Sequence, residues 1–155
     1  MKKLELDKTQ ILEFQKNRDP YLMIDHANEV VPGKSSKGYK DLNENDWIFK
    51  VHWENDPNLP GMLQIEALVQ MSSLAIFTLP GNKGKIMYLT SSNNIKFIKK
   101  VVPNCRFFLE TKIKSFNRGI ANCEGVGRVN KSIVCKADFT LILPDEIKKY
   151  NLKNK

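Results

Sequence analysis

Between residues 61 and 79 the chain sets Met62, Leu63, Ile65, Leu68, Val69, Met71, Leu74, Ala75, Ile76 and Phe77 around a single charged residue, Glu66. So many apolar positions at helical spacing do not fit on one stripe, which predicts a helix buried nearly all round. Pro80-Gly81-Asn82 stops it. At ~1.5 Å per residue the rod is about 28 Å long, enough to cross a small domain. A helix that is apolar on every side cannot rest on a surface, so the rest of the chain has to wrap it.

The flanking segments can do so. Residues 7–16, with Asp7 as a candidate N-cap, predict a short amphipathic helix. Residues 21–31 read as a strand closed by Pro32-Gly33, with residues 35–42 as its hairpin partner and Asn43-Glu44-Asn45-Asp46 as a turn. Beyond the helix, residues 86–89, 95–98, 106–113, 120–129 and 132–143 are strand-like, several alternating apolar with polar side chains as half-buried antiparallel strands do. The expected architecture is one α+β domain over residues 1–147, a curved antiparallel sheet around one central helix. A basic tail at 148–155 is expected to fray.

The bulk of the chain narrows the function classes. No apolar run among its 155 residues reaches the ~18 needed to span a bilayer, and the start Met1-Lys2-Lys3-Leu4 lacks the apolar core of a signal peptide. Three cysteines, Cys105, Cys123 and Cys135, without Cys-x-x-Cys spacing suggest neither a zinc site nor a disulfide framework. A cytoplasmic, metal-free protein is expected. The net charge of +8 favours an acidic partner. Nucleic acid fits poorly, since the sequence holds no recognised binding module.

The chemistry gathers just before the long helix. His52 is one of two histidines; a loop follows it to Pro60-Gly61, and Glu66 then sits between Ile65 and Ala67. A neutral imidazole suits the role of general base near pH 7. A carboxyl desolvated among aliphatic side chains has its pKa pushed up and can serve as the acid. Gly61 opens the helix, where a free backbone N–H can polarise a carbonyl oxygen. Gln70, one turn beyond Glu66, shares its face and can orient it. His26 lies in a predicted strand with no helical acid at matching spacing and is read as structural.

The run His52, short loop, Pro60-Gly61, aliphatics, Glu66 resembles the β-hydroxyacyl-acyl-carrier-protein dehydratases of the hot-dog fold, in their glutamate-bearing branch. Residues 17–25 (Asn-Arg-Asp-Pro-Tyr-Leu-Met-Ile-Asp), residues 96–103 (Lys-Phe-Ile-Lys-Lys-Val-Val-Pro), and Arg118-Gly119-Ile120 with residues 131–137 resemble the same family in collinear order. One departure stands out. Where the family usually has Gly-His-Phe-Pro-Gly, this chain has Val51-His52-Trp53-Glu54-Asn55. The resemblance implies dehydration of 3-hydroxyacyl thioesters to trans-2-enoyl thioesters, with His52 as base and Glu66 as acid. It implies sites shared between protomers of a homodimer or a trimer of dimers. It also implies no cofactor beyond the phosphopantetheine that the substrate carries, and an acyl carrier protein met by Lys96, Lys99, Lys100 and Arg106. Hot-dog domains also serve as acyl thioesterases and as non-catalytic acyl-binding proteins, and these are the alternatives.

Overall fold

In the computed structural model, which describes residues 2–153, the predicted helix spans Gly61–Phe77 (α3). Every residue from Ala67 to Phe77 is buried, as all-round apolarity requires. Seven strands wrap it: β1 (Leu4–Leu6), β2 (His26–Val31), β3 (Ser35–Leu42), β4 (Tyr88–Phe97), β5 (Cys105–Asn117), β6 (Ile120–Val129) and β7 (Ser132–Ile142). They form one sheet in the order β1-β2-β3-β5-β6-β7-β4, antiparallel throughout. The remaining helices are α1 (Lys8–Phe14), α2 (Trp47–Val51) and α4 (Pro144–Lys153). Among the described residues no helix is long and apolar enough to cross a membrane.

Helix α3 packs against β5, β3, β6, β7 and β2, so the core is the space between one helix and the inner face of one sheet. Leu68, Met71 and Leu74 from the helix and Phe107 and Leu141 from the sheet are fully buried there. Truncating any of these to alanine typically costs about 2–5 kcal/mol. The close approach depends on Gly38, where a Cβ would lie 2.6 Å from the Met71 side chain and 2.0 Å from the His26 carbonyl oxygen. Cys123 and Cys135 belong to this core; burial pushes both thiols up to about 11, so neither supplies a thiolate near neutral pH.

Several elements depart from the pattern of the sequence. The strand expected over residues 21–31 begins only at His26. Leu22, Met23 and Ile24 are fully buried, yet their backbone is held by a helix side chain: Met23 N–H donates to Gln70 Oε1, and Gln70 Nε2 donates to the Tyr21 carbonyl. The two short strands expected over 86–89 and 95–98 are one edge strand, β4, joined through the largely exposed polar run Thr90-Ser91-Ser92-Asn93 and bulged at Asn94, whose φ is 52°. An edge strand needs no inward alternation along its whole length, which is why its polar middle read as a break. The capping box on Asp7 and Gln10 starts α1 where the N-cap signal predicts. Residues 148–153 continue α4, while residues 154 and 155 of the expected tail lie outside the described residues.

Candidate active site

His52 stands at the end of α2, a single turn over which the sequence predicts no element. Asp46 occupies its N-cap position, and that signal follows directly from the turn cluster at 43–46. Ile48 and Phe49 bury the inner side of this single turn and so fix where His52 emerges. The imidazole is half-buried, stacked on Trp53 with ring centroids 4.5 Å apart. Its Nδ1 lies 3.0 Å from the Asn58 carbonyl oxygen. A carbonyl only accepts, so Nδ1 carries the proton, and in the neutral ring Nε2 keeps its lone pair. That is the tautomer a general base needs.

An open cavity of about 550 Å³ lies in front of the ring, lined by His52, Trp53, Asn58, Leu59, Gly61, Met62, Gln64, Phe97, Ile98, Lys99 and Lys100. Gly61 is the first residue of α3, so its N–H has no intrahelical acceptor and sits at the positive end of the helix dipole. The absence of a side chain is used: a Cβ on Gly61 would meet the Phe97 ring at 2.6–2.8 Å. Gly61→Ala should therefore displace that ring over the cavity, at a strain of about 1–3 kcal/mol. We expect kcat/KM to fall by about tenfold with the fold intact, and Phe97→Ala in the same chain to restore part of it. A Gly61→Ala enzyme of normal rate would show that the Phe97 ring is not near the reaction.

Glu66 faces elsewhere within the single chain and is not among the residues lining this cavity. It is partly buried, and burial raises its carboxyl above the usual range, a shift offset in part by the hydrogen bond that Gln70 Nε2 donates to Oε1 at 2.8 Å. Gln70 is itself fixed between Tyr21 and Met23, so a rigid amide aims the carboxyl. One chain thus brings His52 and Gly61 together and sets Glu66 and Gln70 apart from them.

The four cations expected to meet a carrier protein do not share one setting. Lys99 and Lys100 rim the His52 cavity, and Lys100 also pairs with Asp56. Lys96 lines a broad concavity on the outer sheet face, among Lys37, Lys112 and Lys136. Arg106 grips Asp41 through Nε and Nη2, at 2.7 and 2.9 Å, and lies over the Tyr39 ring. Sequence reasoning passed over Asn58, Leu59 and Gln64, which surround the imidazole. No residue-type signal marks a backbone carbonyl as a histidine partner, although Gln64, three residues into an apolar helix, was visible as an isolated amide. Among the described residues no group of His, Cys, Asp and Glu could hold a metal ion.

A curled antiparallel sheet closed on one buried helix defines the hot-dog class, and this one carries an imidazole beside that helix's N-terminus and a raised carboxyl further along the helix. Solved structures agree on the fold: the dehydratase heterocomplex ApeI:P from Xenorhabdus doucetiae superposes with a TM-score of 0.72 at 10% identity, over 94% of this chain and 97% of that one. A hypothetical thioesterase protein with coenzyme A from Streptococcus pneumoniae TIGR4 gives 0.55 at 15% identity, over 72% and 82%. The FabA-like domain model matches residues 16–138, and the chain belongs to that family. It is similar to the 3-hydroxyacyl-acyl-carrier-protein dehydratase FabZ of Bacillus subtilis (34% identical, covering 89% of this chain and 98% of the relative). The FabZ of Clostridium tetani is 35% identical, over 86% and 94%.

Proposed function

We propose that this chain dehydrates 3-hydroxyacyl thioesters carried on acyl carrier protein, with His52 of one protomer as base and Glu66 of a second protomer as acid. The dehydration follows from the FabA-like family and from FabZ relatives about a third identical along nearly their whole length; it is a step of fatty-acid biosynthesis. The division between protomers is supported by one observation: His52 and Gly61 share a cavity that Glu66 does not line. Around that cavity Val51, Trp53, Met62, Phe97 and Ile98 are exposed, and β4 leaves a sheet edge unpaired beside them. Such an apolar rim beside an open edge suits a second copy, which would close the cavity and bring its own carboxyl to it. A homodimer is the smallest unit this reading needs, and a trimer of dimers repeats it.

The thioester carbonyl accepts from the Gly61 N–H, which makes the adjacent Cα–H acidic. His52 Nε2 takes that proton, the Cα–Cβ double bond forms, and the Cβ–O bond breaks. The protonated Glu66 carboxyl gives its proton to the departing oxygen, so water leaves and the trans-2-enoyl thioester remains. Gln70 holds Glu66 throughout. The protein contributes no cofactor of its own, the phosphopantetheine arriving with the substrate in the cytoplasm. Lys99 and Lys100 at the rim meet the acidic carrier, with Lys96 the next outward cation along β4; Arg106 is held by Asp41.

The reading is tested by giving the protein a 3-hydroxyacyl-carrier substrate and following the product by mass and free thiol. Loss of one water with the thioester intact is the expected result. Release of free thiol without dehydration would make it a thioesterase, and binding without turnover an acyl-binding protein.

A further inference from the structure

The His52 ring is held by stacking on Trp53 and by one hydrogen bond, to the Asn58 carbonyl, so whatever fixes that carbonyl governs which ring nitrogen carries the proton. Residues 53–60 form no helix or strand, and Glu54-Asn55 stand where the family usually has Pro-Gly. The loop is held instead by three contacts at its far end. Leu59 N–H donates to the Val101 carbonyl at 2.8 Å, Asn58 Nδ2 donates to the Asp56 carbonyl at 2.7 Å, and Gln64 Nε2 donates to the Leu59 carbonyl at 3.0 Å. The Asn58 and Leu59 carbonyls are neighbours in the chain, one receiving the His52 proton and the other the Gln64 amide. The Lys100–Asp56 pair adds a fourth tie, but both side chains are about half exposed, where such a pair holds weakly.

We propose that Gln64 is a positioning residue that fixes the tautomer and direction of the His52 imidazole by clamping the 58–59 backbone. The proposal rests on the reading of His52 as the base. Gln64 is only 4% exposed and the Leu59 it clamps only 1%. The Gln64 Oε1 atom is buried with no hydrogen-bond partner among the described residues. Burying that oxygen unpaired works against folding, and an aliphatic side chain of similar size would avoid the penalty. What glutamine gains at this position is the Nε2 bond to the loop. The Asn58 carbonyl and the Leu59 N–H are one peptide group, held on its N–H side by Val101, while Gln64 holds the next peptide at the Leu59 carbonyl. With both holds in place Nδ1–H stays on Asn58 and Nε2 stays free toward the cavity. Without Gln64 the Asn58–Leu59 peptide can tilt about its one remaining bond and the ring loses its reference.

The chain's two histidines make a direct test simple. In protein labelled with 15N-histidine, at a pH where both rings are neutral, His52 should read as the Nδ1–H tautomer, with His26 as the internal reference. In Gln64→Leu the His52 signals should move toward the tautomer mixture of free imidazole while those of His26 stay put. The same variant should lose up to about a hundredfold in kcat with little change in KM. A Gln64→Leu enzyme that keeps the Nδ1–H tautomer overturns the proposal, whether its rate is normal or reduced. The tautomer is read without turnover, so an active His52→Ala enzyme would refute the base assignment separately.

Discussion

Replacing His52 by alanine should lower the dehydration rate by about 10²–10⁴-fold, the usual contribution of a positioned general base. The fold should survive. The side chain is half-buried and makes one neutral hydrogen bond, to the Asn58 carbonyl, worth about 1 kcal/mol, so the melting temperature should move by only a few degrees. His26→Ala is the matched control. Its ring stacks on Tyr39 at 5.7 Å and contacts Glu5 on the outer side of the sheet, away from the cavity, and its loss should leave kcat unchanged. Steady-state rates on one 3-hydroxyacyl-carrier substrate, with melting curves for both variants, check the pair. A His52→Ala enzyme within tenfold of wild type would remove the imidazole from the mechanism.

Which parts of this were legible in the sequence follows from the range of the forces involved. Helix α3 was readable because its apolarity is a property of its own residues, and β5, β6 and β7 because their alternation is local. The catalytic candidates were readable as residue types in order, a histidine, a helix-opening glycine and a carboxyl among aliphatics. What escaped depends on partners distant in the chain. Residues 22–24 are a short apolar run, as a buried strand can be, but Gln70, 47 positions beyond Met23, takes the ladder's place. Arg106 looked like a free cation because nothing in the sequence says that β3 and β5 set it opposite Asp41. Helix α2 is a single turn, too short to show a helical period, and its Asp46 N-cap position lies inside what reads as a turn cluster. Gln64, Asn58 and Leu59 form a functional unit only through the path of the loop, and a path is tertiary information.

Glu66→Gln should lower the rate by a factor comparable to that of His52→Ala, because an amide cannot give a proton to the departing hydroxyl. The wild-type pH dependence has a fixed sign. Burial raises the Glu66 carboxyl and thereby favours its protonated form, so kcat should fall as pH rises through that raised value. The stability contribution has the same sign, present at low pH and lost as the carboxyl ionises in the folded state. The sharper result comes from mixing the two dead variants. If each site takes His52 from one protomer and Glu66 from the other, a dimer of one His52→Ala chain and one Glu66→Gln chain has one site with both lesions and one with neither. Random exchange at equal amounts makes half the dimers mixed, each with one intact site, and about a quarter of the wild-type activity should return. If a single chain held both groups, every site in every mixed dimer would carry one lesion and nothing would return. Co-refolding the two inactive proteins at equal concentration and measuring dehydration therefore decides whether the acid and the base belong to one protomer or two.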